Sequence, residues 1–163
     1  MIPGVDHSKI QDKALDVLEQ FGITEPVVDV LKIAQQSKID IKEIKMPDKF
    51  FEVAGFYDKA NRTIYVSELG PPQRKLFTIA HELGHIFLNH DNFSVRFRLP
   101  KENKEYPKEE TEANSFAAHL LMPDHMIKEA LYKYRLTRGD YVQMAKIFGV
   151  PVAAMRDTLT YLH

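Results

Sequence analysis

Apolar positions along the chain repeat first with helical spacing, then alternate, then return to helical spacing. Ile10, Ala14, Leu15, Val17, Leu18 and Phe21 form one stripe, which predicts a helix over 6–21 ended by Gly22. Thr24-Glu25-Pro26 reads as the start of a second helix, with Thr24 or Glu25 at the cap, Pro26 in the first turn, and Val27, Val30, Leu31 and Ala34 facing the core. From Ile39 to Ile44 apolar and polar residues alternate, the signature of a half-buried strand. Two further strands are expected at Val53–Tyr57 and Thr63–Val66, joined by a turn-rich hairpin loop over 58–62. The sheet is thus expected to be small, three-stranded and largely antiparallel, antiparallel throughout or mixed. Gly55 inside a strand marks a bulge or a close backbone approach. An open edge of such a sheet can accept a peptide as an extra strand, although a plain loss of side-chain packing accounts for Gly55 equally well.

Helical spacing returns at Pro71-Pro72 and runs to about Leu88. Leu76, Ala80, Leu83 and Phe87 lie on one stripe, which Phe77, Gly84, Leu88, Ile79 and Ile86 widen on both sides. This helix is expected to be buried around most of its circumference. Its remaining strip carries Arg74, Thr78, His81 and His85, within about 60° of one another at 100° per residue. A polar strip of histidines on an otherwise buried helix is expected at the floor of a cleft. Gly84 costs about 1 kcal/mol relative to Ala in a helix interior, which a close neighbour would explain. The charged stretch 89–107 reads as a long loop, either a solvated connector or a lid. Beyond it, Ala113, Phe116, Ala117, Leu120 and Leu121 stripe a helix over 108–122, and Asp124 can cap a helix over 125–134. Two short helices, 141–148 and 152–162, flank Gly149-Val150-Pro151. With no internal repeat, 1–163 is read as a single α+β domain, with the helices from about 124 onward an integral subdomain.

Composition narrows the function. A net charge of −1 and a pI near 6.7 give no bulk reason to bind nucleic acid or an anionic membrane. The chain has no cysteine, so a metal site must use His, Asp or Glu. No secretory signal or run of about 20 apolar residues is present, and a cytoplasmic location is expected. The closing helix–Gly–helix has the spacing of a helix-turn-helix. Its second helix offers only Arg156 as a basic residue, so a structural or partner-docking role is favoured over DNA binding.

The candidate chemistry lies in His81-Glu82-Leu83-Gly84-His85. Histidines four apart on a helix are about 40° apart in azimuth and can bind one metal ion. Glu82 beside them can take a proton from a water at that metal, the zinc-peptidase arrangement. A catalytic zinc needs a third protein ligand. The metzincin extension fails, because position 88 is Leu rather than Gly and position 91 is Asp rather than His. Glu109, Glu110 and Glu112 begin the next long helix, and periodicity does not choose well among them. Glu109 projects nearest the core stripe. Glu109 and Glu110 both sit in a first turn, where acidic residues are favoured without any metal, and Glu112 lies deeper. A transition-state oxyanion would need another donor, for which Arg74, Tyr57, Tyr65 and His119 are candidates.

TIAHELGHIFLNH followed by ETEANSFAAHLLMP resembles the ImmA/IrrE family of metallopeptidases, in which HExxH is followed by E-A-x-x-F-A-x-x-L-L-M-P. The resemblance covers most of the chain from about Val27 onward, including the hairpin before the motif helix and the closing segment 144–150. It implies a zincin-like fold with one Zn²⁺, held gluzincin-fashion by His81, His85 and Glu112, with Glu82 as general base. Other divalent metals would be accepted in vitro. It further implies a cytoplasmic protein whose substrate is a helix-turn-helix repressor, cleaved to relieve repression. The alternative is a non-proteolytic regulator that binds a repressor or DNA with the same fold. A purely structural zinc would instead recruit His90 or His119 as a fourth ligand.

Overall fold

The computed structural model describes residues 4–46, 54–90 and 106–163. Among these, the elements run α1 (His7–Gln20), α2 (Val30–Gln36), β1 (Asp40–Ile44), β2 (Gly55–Asp58), β3 (Thr63–Ser67), α3 (Pro72–Phe87), α4 (Tyr106–Leu121), α5 (Asp124–Lys133), α6 (Tyr141–Phe148) and α7 (Val152–Tyr161). The chain is α+β, as its patterning predicts. The start of the strand expected at Val53 and nearly all of the 89–107 loop lie outside the described residues.

The helix ends follow local chemistry. Asp6 accepts from the Lys9 N–H and caps α1. Asp29 does the same for Lys32, so α2 begins at Val30 rather than near Pro26. The expected core face changes accordingly: Val30, Ile33 and Ala34 are buried, while Val27 and Leu31 are each 48% exposed. Asp124 is the first residue of α5 rather than its cap, and its carboxylate accepts from Gln11 Nε2 at 3.2 Å.

The three strands are ordered β1-β3-β2. β2 and β3 pair antiparallel through the expected hairpin, and β1 joins the other side of β3 in parallel. The sheet is therefore mixed. Register places Gly55 opposite Val66 and Tyr57 opposite Ile64, which puts these four on one face. That face meets α3: a Cβ built on Gly55 would lie 2.7 Å from Thr78 Cγ2 and 2.8 Å from the Tyr65 carbonyl oxygen. Gly55 thus marks a close approach. Phe56 and Tyr65 are on the other face, their rings stacked at 5.0 Å.

A single apolar cluster runs from Ile10 on α1 to Leu162 after α7, through Ile64, Leu83, Phe116, Met126 and Phe148. At its centre α3 crosses α4 at Gly84, where an added Cβ would meet Ala113 O at 3.1 Å, Ala113 Cα at 3.2 Å and Phe116 Cβ at 3.2 Å. Two of these are backbone atoms of a packed helix and cannot retreat alone. Gly84→Ala gains about 1 kcal/mol of helix propensity but overpacks the crossing, at about 1–3 kcal/mol. The variant is expected to melt lower by a few degrees in a calorimetric scan, because the loss exceeds the gain.

Candidate metal centre

The crossing of α3 over α4 builds a cluster of ring nitrogens and carboxylates. His81 and His85 project from the same side of α3, with Nε2 atoms 3.1 Å apart. Glu110, in the first turns of α4, bridges them: one carboxylate oxygen is 2.9 Å from His81 Nε2 and the other 3.1 Å from His85 Nε2. Among the described residues these three form the one His/Cys/Asp/Glu group arranged to hold a metal ion. The His85 side chain is 1% exposed, His81 13% and Glu110 24%, so the open side of the cluster is toward Glu110.

The expected third ligand, Glu112, is not brought to the pair. By the 100° step it projects about 160° away from Glu110 around α4. Its carboxylate oxygen lies 3.3 Å from His90 Nε2 instead. Glu110 is the carboxylate brought to the pair, for a packing reason. Ala113 is pressed against Gly84, which turns the residue one helical turn earlier toward the α3 histidines.

The outer ring atoms of both histidines are also held. His81 Nδ1 is 2.8 Å from Asn114 Oδ1; an amide oxygen accepts, so Nδ1 carries the proton and Nε2 keeps its lone pair. His85 Nδ1 is 2.8 Å from His90 Nδ1. His90 reaches that position through the end of α3. Asn89 takes a left-handed φ of 57°, and the His90 N–H donates to the His85 carbonyl at 2.9 Å, a Schellman-type turn. Asn114 is a functional candidate that the sequence reading missed, and His90, read there only as a possible fourth ligand, stands behind His85 instead. Asn114 stands four residues after Glu110, on the same face, and that spacing was the available signal.

Glu82 is 1% exposed and follows His81 on α3. Arg74 lies exposed in the first turn of α3, about 10 Å along the axis from His81 at 1.5 Å per residue. Tyr57 is 8% exposed, on the sheet face that meets α3. Tyr65 is on the opposite face, which removes it from the side of the histidines. His119 sits among other groups: burial lowers its pKa below the ordinary histidine value, with Asp124 opposing that shift and His7 adding to it. The charged groups that act on it are Asp124 and His7, not the α3 pair. His90 touches His85 on the Nδ1 side, away from the three converging atoms, which argues against a closed four-ligand site through His90.

A metal ion fits this donor set. Two Nε2 atoms and a carboxylate converge on one point, an arrangement that a cation or protons satisfy. Ligand atoms about 2.0–2.1 Å from a tetrahedral zinc are about 3.3 Å apart, within a few tenths of the separations of 2.9 and 3.1 Å here.

Residues 34–160 match the family model of the peptidase domain described as IrrE N-terminal-like. The chain belongs to this metallopeptidase family. Similar curated proteins include an uncharacterised immunity region protein 2 of Bacillus phage phi105, 33% identical over 110 residues. Another is the radiation response metalloprotease IrrE of Deinococcus radiodurans, 31% identical over 108 residues. Each match covers 65% of this chain, but only 66% of the phage protein and 33% of the Deinococcus protein. A solved structure titled Mycobacterium tuberculosis transcriptional regulator has the same fold, with a TM-score of 0.68 at 17% identity over 91% of this chain and 45% of that one. Among the described residues, no helix is long and apolar enough to cross a membrane.

Proposed function

We propose that the protein is a zinc-dependent endopeptidase in which His81, His85 and Glu110 hold one Zn²⁺ and Glu82 is the general base. The observation that carries this reading is the convergence of two imidazole Nε2 atoms and one carboxylate on a single point, with a buried glutamate next to the first histidine. Two histidines and one carboxylate, with no thiolate, form a donor set that suits zinc. When bound, the metal supplies a Lewis acid for a peptide carbonyl and makes a water acidic near neutral pH. Glu110 and the two imidazoles hold it open on the exposed side. Glu82 takes the proton from the attacking water and passes it to the departing amine nitrogen.

For the substrate we infer a helix-turn-helix transcriptional repressor encoded near the gene. Membership in a metallopeptidase family and similarity to a phage immunity-region protein support that choice, and a cytoplasmic setting goes with it. The test is to incubate the purified protein with that repressor. Site-specific fragments that disappear with a chelator are the expected result. A stable complex without fragments would replace this reading with that of a non-proteolytic regulator.

A further inference from the structure

His85 meets Glu110 of α4 at Nε2 and His90, just past the end of α3, at Nδ1, and a metal ion at Nε2 would give the second contact a definite polarity. Glu112 carries a carboxylate, which only accepts hydrogen bonds when ionised. One of its oxygens lies 3.3 Å from His90 Nε2, an ion-pair distance, so a hydrogen on that nitrogen would face an acceptor. An imidazole with its one N–H on Nε2 has a bare Nδ1 that accepts, and in that form His90 Nδ1 accepts. Its neighbour at 2.8 Å is His85 Nδ1, which must donate. His85 is thereby fixed in the tautomer whose Nε2 lone pair points toward Glu110 and His81. The chain of contacts runs from His85 through His90 to Glu112, and three features build it. The left-handed Asn89 folds His90 back under His85. Burial of His90, 7% exposed, keeps water from competing for its nitrogens. The two-residue step from Glu110 to Glu112 sends one carboxylate to each side of the ring.

We propose that His90 and Glu112 are positioning residues, a relay that holds His85 in its metal-binding tautomer and orientation. The relay rests on the metal site proposed above. It goes beyond that site by giving Glu112 and His90 work that neither performs as a ligand. Histidines that bind metals are commonly held this way, and losing the outer partner typically costs about 10–100-fold in metal affinity or activity.

Zinc affinity of the full chain, measured by competition with a chromophoric chelator, tests the relay together with nitrogen-detected NMR of the histidine rings. His90→Leu is expected to weaken zinc binding about 10–100-fold and to remove the protected Nδ1–H resonance of His85. Glu112→Gln retains a carbonyl acceptor for His90 Nε2–H and is expected to stay within about threefold of the parent, while Glu112→Ala falls toward His90→Leu. That rescue separates an oriented hydrogen bond from mere filling of space, and melting temperatures verify that each variant is folded. If the parent binds zinc but His90→Leu and Glu112→Ala bind it equally well, the relay is wrong and the metal site stands. If the parent binds no zinc, both fail. If Glu112→Ala abolishes binding while His90→Leu does not affect it, Glu112 is itself a ligand and the relay is overturned.

Discussion

Glu110→Ala is expected to cost zinc affinity roughly 10³-fold, clearly more than the 10–100-fold typical of losing an outer hydrogen-bond partner. Glu112→Ala is expected to stay in that lower range. The two residues share chemistry, helix and nearly the same sequence position, so the contrast isolates geometry. Glu110 oxygens stand 2.9 and 3.1 Å from the two Nε2 atoms, and Glu112 reaches His90 instead. Without Glu110 the site retains two imidazoles, too few to hold a catalytic zinc against solvent. Equilibrium dialysis with metal analysis of both variants and the parent reads the difference directly. Equal losses, or the larger loss at Glu112, would return the third ligand to Glu112.

Glu82→Gln is expected to leave zinc stoichiometry at the parental value and to lower the cleavage rate about 10²–10⁴-fold, the usual contribution of a positioned general base. The amide keeps the shape of a side chain that is 1% exposed, so folding should survive, but it cannot take the proton from water. The measurement is single-turnover cleavage of the repressor substrate alongside metal content of the same sample. A drop in bound zinc as large as that of Glu110→Ala would make Glu82 a ligand rather than a base.

Much of this was legible in the sequence because the patterns were local. Leu76, Ala80, Leu83 and Phe87 identify the central helix, and the spacing of His81 and His85 puts two imidazoles on one side of it. The hairpin was readable from alternation and turn residues. What failed depended on contacts between distant segments. The start of α2 turned on Asp29 outcompeting the Pro26 region as a cap. The third ligand turned on the rotation of α4, which is set where Gly84 meets Ala113. The resemblance put Glu112 in that role, whereas the structure brings Glu110 to the histidine pair, because the neighbouring acidic residues in ETEAN share composition and differ in azimuth. Gly84 was read as a sign of close approach, but one sequence does not say what approaches. Tyr65 was a plausible donor until strand register put it on the far face of the sheet.

The central claim is that His81, His85 and Glu110 together hold one metal ion. Anomalous diffraction at the zinc edge from crystals of the zinc-loaded protein tests it most directly. The account predicts a single peak about 2.0–2.2 Å from His81 Nε2, His85 Nε2 and a Glu110 carboxylate oxygen, with His90 and Glu112 outside bonding distance. A peak coordinated by Glu112 or His90, or no peak at the histidine pair, would contradict it.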